Sequence, residues 1–288
     1  MITFNTLLVE AGIDPGEVLL LRHTLVEREL KTILPWIAAE RRDLFKVYHQ
    51  TQWPRVEQAM LKARYLASFL ALESGEAVFA GIYEIGAHRP LDVAGYWAAP
   101  GQRELVQLGM SGRVEDTPDC LWFELEEHPA YKDWIGKLVV VWPAMRSWWR
   151  WAGYVQLDML AVAQESLFVR GMPDWEDIVL TWEQLSVLPA SCRAALAEWR
   201  GVYFIFDEQR RAGYVGSAYG ADNILGRWLQ HARTGHGGNK RLRESSPKDL
   251  RFSILQRLSP DLRSTETIRA EAGWKARLHT RGHRLNEN

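Results

Sequence analysis

The chain has 288 residues, 35 Lys and Arg against 36 Asp and Glu for a net charge of −1, and 47% hydrophobic content. That length and apolar fraction suit two domains with a core each. No apolar run approaches the roughly 18 residues of a membrane-spanning helix, which excludes that class. Cys120 and Cys192 stand far apart without metal-ligand spacing, which excludes a zinc cluster and fits the reduced thiols of a cytoplasmic protein, and Met1-Ile2-Thr3-Phe4-Asn5 lacks the charged start of a secretion signal.

Residues 1–76 read as helical with breaks. Val18 to Arg22 is a short apolar run and a candidate strand. Leu25 to Ala38 places Leu30, Ile33, Leu34 and Ile37 near helical spacing, with Thr24 as a cap and Pro35 expected to kink or end the helix. Val56 to Leu72 reads as a second helix, with Met60, Ala63, Leu66, Ala67 and Leu70 on one side. From Ala77 onward the pattern turns to strands at Val78–Ile85, Val93–Trp97, Cys120–Leu125 and Lys137–Trp142, with turn residues such as Ala99-Pro100-Gly101-Gln102 between them. Residues 1–170 are therefore expected to form an α+β domain with a mostly antiparallel sheet or partial barrel. Twelve of the 14 Trp precede Gly201, and the densest group is Arg146-Ser147-Trp148-Trp149-Arg150-Trp151. Trp and Arg stack on bases and grip phosphates, and they also build protein interfaces and cores, so the group is a candidate DNA contact with those two rivals.

Gly171-Met172-Pro173-Asp174-Trp175 opens a connection. Within 171–199, Thr181 caps a short helix carrying Glu183 and Gln184 in its first turn, and Ser191 to Trp199 forms another, so this stretch reads as a helical linker. Val202 to Phe206 is then a buried strand, Asp207 to Gly213 a hairpin loop, and Tyr214-Val215 the returning strand, ending on Gly216. Asp222 or Asn223 caps a helix with Ile224, Leu225, Trp228 and Ala232 on one face, and Arg227 and His231, four apart, share its surface. Ser264 to Leu278 is a further helix, with Glu271 and Lys275 four apart. Residues 201–288 hold 16 Lys and Arg against 9 Asp and Glu, a net of +7, while the preceding residues hold 19 against 27, a net of −8. A basic C-terminal domain is what a phosphate backbone requires of a partner.

The order Gly201-Val202-Tyr203, Tyr214-Val215-Gly216, Arg227 with His231, Glu271 and the late Asn286 resembles the GIY-YIG nuclease family over residues 201–288, within a domain expected over 200–288. Each triplet carries one Ile-to-Val exchange. Gly81-Ile82-Tyr83 is a literal copy of the first triplet, but none of the other elements follows it at suitable spacing, so it reads as an ordinary apolar strand. The resemblance implies a small sheet flanked by helices and hydrolysis of phosphodiester bonds in DNA with Mg²⁺ (or Mn²⁺). It makes Tyr203 and Tyr214 the two active-site phenols, with Tyr203 activating water, and Glu271 the metal ligand.

The residue types fit that chemistry. Phosphodiester hydrolysis needs an activated water, a base, and positive charge against the developing anion. Arg227 can hold two phosphate oxygens in its fork. A free phenol titrates near 10, so either Tyr as base needs a neighbouring cation, and His231, with a natural pKa near 6.5, is the alternative base. Glu266 rivals Glu271 as ligand, but five residues put the two roughly 140° apart around a helix, and Glu266 in the first turn suits the helix dipole. Glu271 also precedes Trp274-Lys275, completing an E-x-x-W-K pattern seen in the resembled family. Asn286 closes the pocket by hydrogen bonds or serves as a C-terminal structural cap. Arg233, His236, Asn239 and Lys240, in a glycine-rich loop, join Lys275 as candidate phosphate contacts. The expected protein is a restriction or defence endonuclease whose N-terminal domain selects the DNA target. The alternatives are a repair-type nuclease whose N-terminal domain binds a protein partner, and a non-catalytic DNA-binding protein. One metal site cuts one strand, so a double-strand break needs a homodimer or two events.

Overall fold

The computed structural model describes residues 2–23, 28–72, 75–115, 117–144, 147–169, 174–234, 242, 245–280 and 286, with the side chains of 28–32 outside the description. The fold is α+β, with ten α-helices among the described residues and two sheets, one of them a curled half-barrel. The chain divides into two compact units, Met1–Arg170 and Gly171–Asn288. No helix among the described residues is long and apolar enough to cross a membrane.

The first unit opens with α1 (Phe4–Glu10), capped by Thr3, whose hydroxyl accepts from Thr6 N at 3.2 Å. Its seven strands are β1 (Val18–His23), β2 (Tyr65–Ala71), β3 (Glu76–Leu91), β4 (Cys120–Glu127), β5 (Leu138–Val141), β6 (Trp149–Trp151) and β7 (Met159–Val162). They lie in the order β6-β1-β2-β3-β5-β7, and β4 pairs with the far half of β3. Every pairing is antiparallel except β1 with β2. That parallel pair is joined through α2 (Arg28–Glu40), α3 (Arg42–Gln50) and α4 (Pro54–Met60), the long crossover a parallel connection demands. Phe4, Leu7 and Leu8 of α1 pack with Val18, Leu20, Phe69, Phe79 and Trp142 in the main core.

Two sequence expectations fail here. The helix expected over Val56–Leu72 stops at Met60, and Tyr65–Ala71 is β2. Leu66, Ala67 and Leu70 fit helical spacing, but they belong to an apolar run buried on both faces, which a central strand requires and an amphipathic helix does not. The strand expected at Val93–Trp97 is α5 (Val93–Ala98), which precedes α6 (Gln102–Gln107) and is started by Asp92, whose carboxylate accepts from Gly95 N at 2.7 Å. An apolar run this short leaves periodicity silent, and the cap decides. Of the two outcomes expected at Pro35, the helix does not end there: α2 runs on to Glu40 with Pro35 inside it. Thr24 and Leu25 lie outside the described residues. The strands at Val18, Val78, Cys120 and Lys137 are present as β1, β3, β4 and β5, and Tyr83 is a buried strand residue.

The second unit has a four-stranded sheet in the order β10-β9-β11-β8, built from β8 (Val179–Thr181), β9 (Arg200–Asp207), β10 (Ala212–Ala218) and β11 (Leu250–Leu258), antiparallel throughout. The 171–199 stretch supplies the edge strand β8, then α7 (Trp182–Ser186) and α8 (Ala190–Glu198). Thr181 and Gln184 form a reciprocal capping box at the start of α7. Two more helices, α9 (Asn223–Thr234) and α10 (Ser264–Arg277), pack on β9 and β10. Asn223 at the head of α9 donates from its carboxamide to the carbonyls of Ala197 and Glu198 at the end of α8. Inside, Trp228 of α9 meets Phe252 of β11, with ring centroids 5.8 Å apart.

Candidate active site

Register places the two triplets together. On the antiparallel pair of β9 and β10, Tyr203 stands opposite Gly216 and Ile205 opposite Tyr214, so both phenols share one face. Gly216 is required there. A Cβ at that position would run into the Tyr203 phenol. Gly201, at the start of β9, faces the backbone carbonyl of Gln256, which a side chain would strike. Both glycines of the motif thus serve close approach rather than an unusual dihedral.

The α9 helix buries Ile224, Leu225, Trp228, His231 and Ala232. Its i, i+4 spacing carries Arg227 and His231 to the phenols. His231 is fully buried, and its Nε2 lies 3.0 Å from the Tyr203 hydroxyl. The Tyr203 and Tyr214 rings are 6.2 Å apart and the Tyr214 and His231 rings 5.5 Å. Burial pushes the Tyr203 phenol well above its ordinary range, with Tyr214 adding to the shift and Arg227 opposing it. Burial also raises Tyr214, which is half-buried, against the pull of Arg227 and with a contribution from Glu271. For Arg227, burial works to lower the pKa, but the two phenols outweigh it and hold the guanidinium charged. Its Nη1 donates to Gln230 Oε1 at 2.6 Å, and its Nε is buried with no hydrogen-bond partner.

Glu271 comes from α10. Its Oε1 pairs with Lys275 Nζ at 2.8 Å, and its Oε2 accepts from the Ser217 hydroxyl. Ser217, directly after the Tyr214-Val215-Gly216 arm, escaped the sequence reading because a serine in a strand carries no spacing signal of its own. Its place one step beyond the motif is the clue that could have found it. Glu266 stands at the exposed start of α10, where its carboxylate accepts from Arg263 N at 3.2 Å. It is committed to capping. Trp274, also of α10, donates from Nε1 to Gln256 Oε1 at 3.0 Å.

Tyr203, Tyr214, Arg227, His231 and Glu271 therefore form one cluster. Asn286 does not enter it. Its carboxamide clamps the backbone of Val215, accepting from N at 2.9 Å and donating to O at 2.8 Å, as a neighbouring strand would. Arg233 is exposed at the end of α9, bonded through Nε to Leu229 O. Lys275 is taken up by Glu271. His236, Asn239 and Lys240 lie outside the described residues, as does Arg146. Trp149, Arg150 and Trp151 make β6, an edge strand of the first unit's sheet paired to β1, and all three are half-buried together with Trp148. The Trp148 ring lies 5.9 Å from that of His23.

Among the described residues no group of three or more His, Cys, Asp or Glu could hold a metal ion. The donors at Glu271 are one carboxylate and one hydroxyl, both hard oxygens. They fit a cation such as Mg²⁺, which keeps most of its water and binds through one or two carboxylates plus phosphate, and do not suit zinc. Comparison of the chain with family models, curated proteins and solved structures finds no match.

Proposed function

We propose that the second unit is a metal-assisted endonuclease that hydrolyses phosphodiester bonds in DNA. The observation that carries this reading is the setting of Arg227. Its guanidinium is half-buried and held charged by two phenols, its Nε is unsatisfied, and among the described residues it makes no ion pair with a carboxylate. A desolvated cation without an anionic partner is a site waiting for one, and the fork of a guanidinium matches a phosphate.

The roles divide as follows. Arg227 binds the scissile phosphate and offsets charge on the pentavalent phosphorus. Tyr203 is sealed from solvent and tied to His231, so it acts by fixing the imidazole. Tyr214, half-buried beside Arg227 and Glu271, is the phenol that a water molecule can approach. This moves the water-activating role from Tyr203 to Tyr214, with His231 behind it as proton acceptor. Glu271 and Ser217 supply the oxygen ligands for Mg²⁺ or Mn²⁺, which when bound polarises water and neutralises the leaving oxygen. The first unit selects the DNA, through the β6 edge with Trp148, Trp149, Arg150 and Trp151, in a restriction or defence setting, and double-strand cutting uses two protomers.

The test is nicking of supercoiled plasmid by the full chain in Mg²⁺ or Mn²⁺, in EDTA, and by Arg227→Ala. Metal-dependent nicking that falls by roughly a hundredfold in Arg227→Ala, the scale of losing one main electrostatic stabiliser, is the expected result. Equal nicking in EDTA, or full activity in Arg227→Ala, would overturn the reading.

A further inference from the structure

Glu271 already has a cation. Its carboxylate and the Lys275 ammonium are both largely buried, with side chains 17% and 14% exposed, and they meet at 2.8 Å one helical turn apart. The second carboxylate oxygen is held by the Ser217 hydroxyl from the neighbouring strand. Both oxygens are thus committed in the free protein. Exposed helix pairs at this spacing are weak because water screens them, but little water reaches this one.

We infer that Lys275 and the divalent cation compete for Glu271, and that the ammonium displaced by the metal becomes a phosphate contact. The inference rests on the nuclease reading of the same cluster. A cation on Glu271 sits about 2.1 Å from the oxygen it binds, which leaves two positive centres within a few ångströms of each other where screening is poor. The ammonium gives way because it stands on a flexible four-carbon stem, while Glu271 is held in place by Ser217. Once freed, the charge remains one helical turn from Glu271, the carboxylate that acts on Tyr214, and a phosphate is the anion such a site would receive. Metal and DNA therefore bind with positive coupling, each raising affinity for the other by the same factor. The apparent conflict at Lys275, a candidate DNA contact that is fully engaged in an ion pair, resolves as two states of one side chain.

The test uses the full chain and Mn²⁺ alone, with binding followed by electron paramagnetic resonance. Glu271→Gln should lose the site. Lys275→Met, which keeps the packing of the stem, should bind Mn²⁺ about tenfold more tightly, within the usual range of coupling between sites. Lys275→Gln provides the same measurement should the Met variant fold poorly, and Lys275→Arg, which keeps the charge, should stay near the native affinity. In a second arm, a short DNA duplex is titrated at several salt concentrations with and without Ca²⁺. The cation should steepen the salt dependence by about one phosphate contact in the native protein and leave Lys275→Met unchanged. A Glu271-dependent Mn²⁺ site whose affinity is the same in Lys275→Met and Lys275→Gln overturns the competition while leaving the nuclease reading intact. Absence of any Glu271-dependent Mn²⁺ site overturns both.

Discussion

Acid should destabilise the first unit through His49, and the size of the effect follows from its surroundings. His49 of α3 is completely buried. Its Nδ1 lies 2.6 Å from the Phe45 carbonyl, which can only accept, so Nδ1 carries the proton and Nε2 of the neutral ring accepts. Nε2 has two candidate donors, Ser68 Oγ at 2.9 Å and His23 Nε2 at 3.1 Å. A second proton on His49 would abolish both of those bonds. Burial, opposed by the Phe45 carbonyl and reinforced by Arg42, lowers the His49 pKa from 6.5 to about 4. His23, also buried, is lowered well below its ordinary value by burial and by His49. Tyr48 and Tyr83 complete the wall, and Glu127 stands beside Tyr83, paired with Arg42.

The unfolded chain therefore takes up a proton near pH 6.5 that the folded chain refuses until about pH 4. Stability from His49 is complete above pH 6.5 and is lost as the pH falls toward 4. The loss is roughly 2 kcal/mol at pH 5 and about 3 kcal/mol at pH 4 for this group alone. Glu57 works in the opposite sense, since burial raises its pKa and protonation relieves it. The clean measurement is thus a difference between proteins. Urea unfolding of the native chain and of His49→Gln, followed by tryptophan fluorescence from pH 7.5 to pH 4, should show the native curve falling more steeply by those amounts, with Gln the flatter of the two. Parallel curves across that range would refute the assignment of a neutral, proton-refusing His49.

Glu271→Ala should lower plasmid nicking by roughly a hundredfold, while Glu266→Ala and Tyr83→Phe leave it near the native level, as gel assays on folded variants would show. Gly216→Ala should disrupt the site, because the added methyl strikes the Tyr203 phenol; a change in the exchange protection of His231's helix, or lost nicking, reports it. Asn286→Ala should raise amide exchange at Val215 and cost about 1–3 kcal/mol of stability in the second unit, since both backbone groups of that residue lose their partner. Trp149→Ala and Arg150→Ala should flatten any sequence preference in DNA binding more than they lower binding to random duplex.

The parts of the fold that were legible in sequence are those where one signal dominates. The Val202–Phe206 and Tyr214–Val215 runs, with Gly between and after, could pair only as a hairpin, and the 3.6-residue spacing of Ile224, Leu225, Trp228 and Ala232 left α9 no alternative face. Thr181 with Gln184 announced α7. What stayed hidden depends on partners distant in sequence. Tyr65–Ala71 is a strand because β1 and β3 lie on either side of it, and Trp149–Trp151 is a strand because Leu19–Leu21 offers it an edge. The roles of Ser217 and Asn286 likewise follow from contacts 54 and 71 residues away in the chain. No local pattern carries such information.

The two Gly-x-Tyr triplets show what separates a site from a core. Tyr83, like Tyr203, is a buried strand tyrosine with an arginine, a histidine and a glutamate nearby. A side chain on Gly81 would strike the Arg42 guanidinium, just as one on Gly216 would strike Tyr203. The residue types are the same, and composition alone would score the two clusters alike. Their hydrogen-bond accounts differ. Arg42 donates to the carbonyls of Ala38 and Ala80 and to the Tyr83 hydroxyl, and is paired with Glu127, so its charge and its donors are spent within the protein. Arg227 leans on two phenols, bonds Gln230, and keeps a buried Nε unmatched without a carboxylate among the described residues. A saturated network specifies a fold and leaves no capacity for a ligand, whereas an unsaturated one carries a desolvation cost that only a ligand removes. By that criterion the literal triplet at Gly81 belongs to the core, and the altered one at Gly201 belongs to the proposed site.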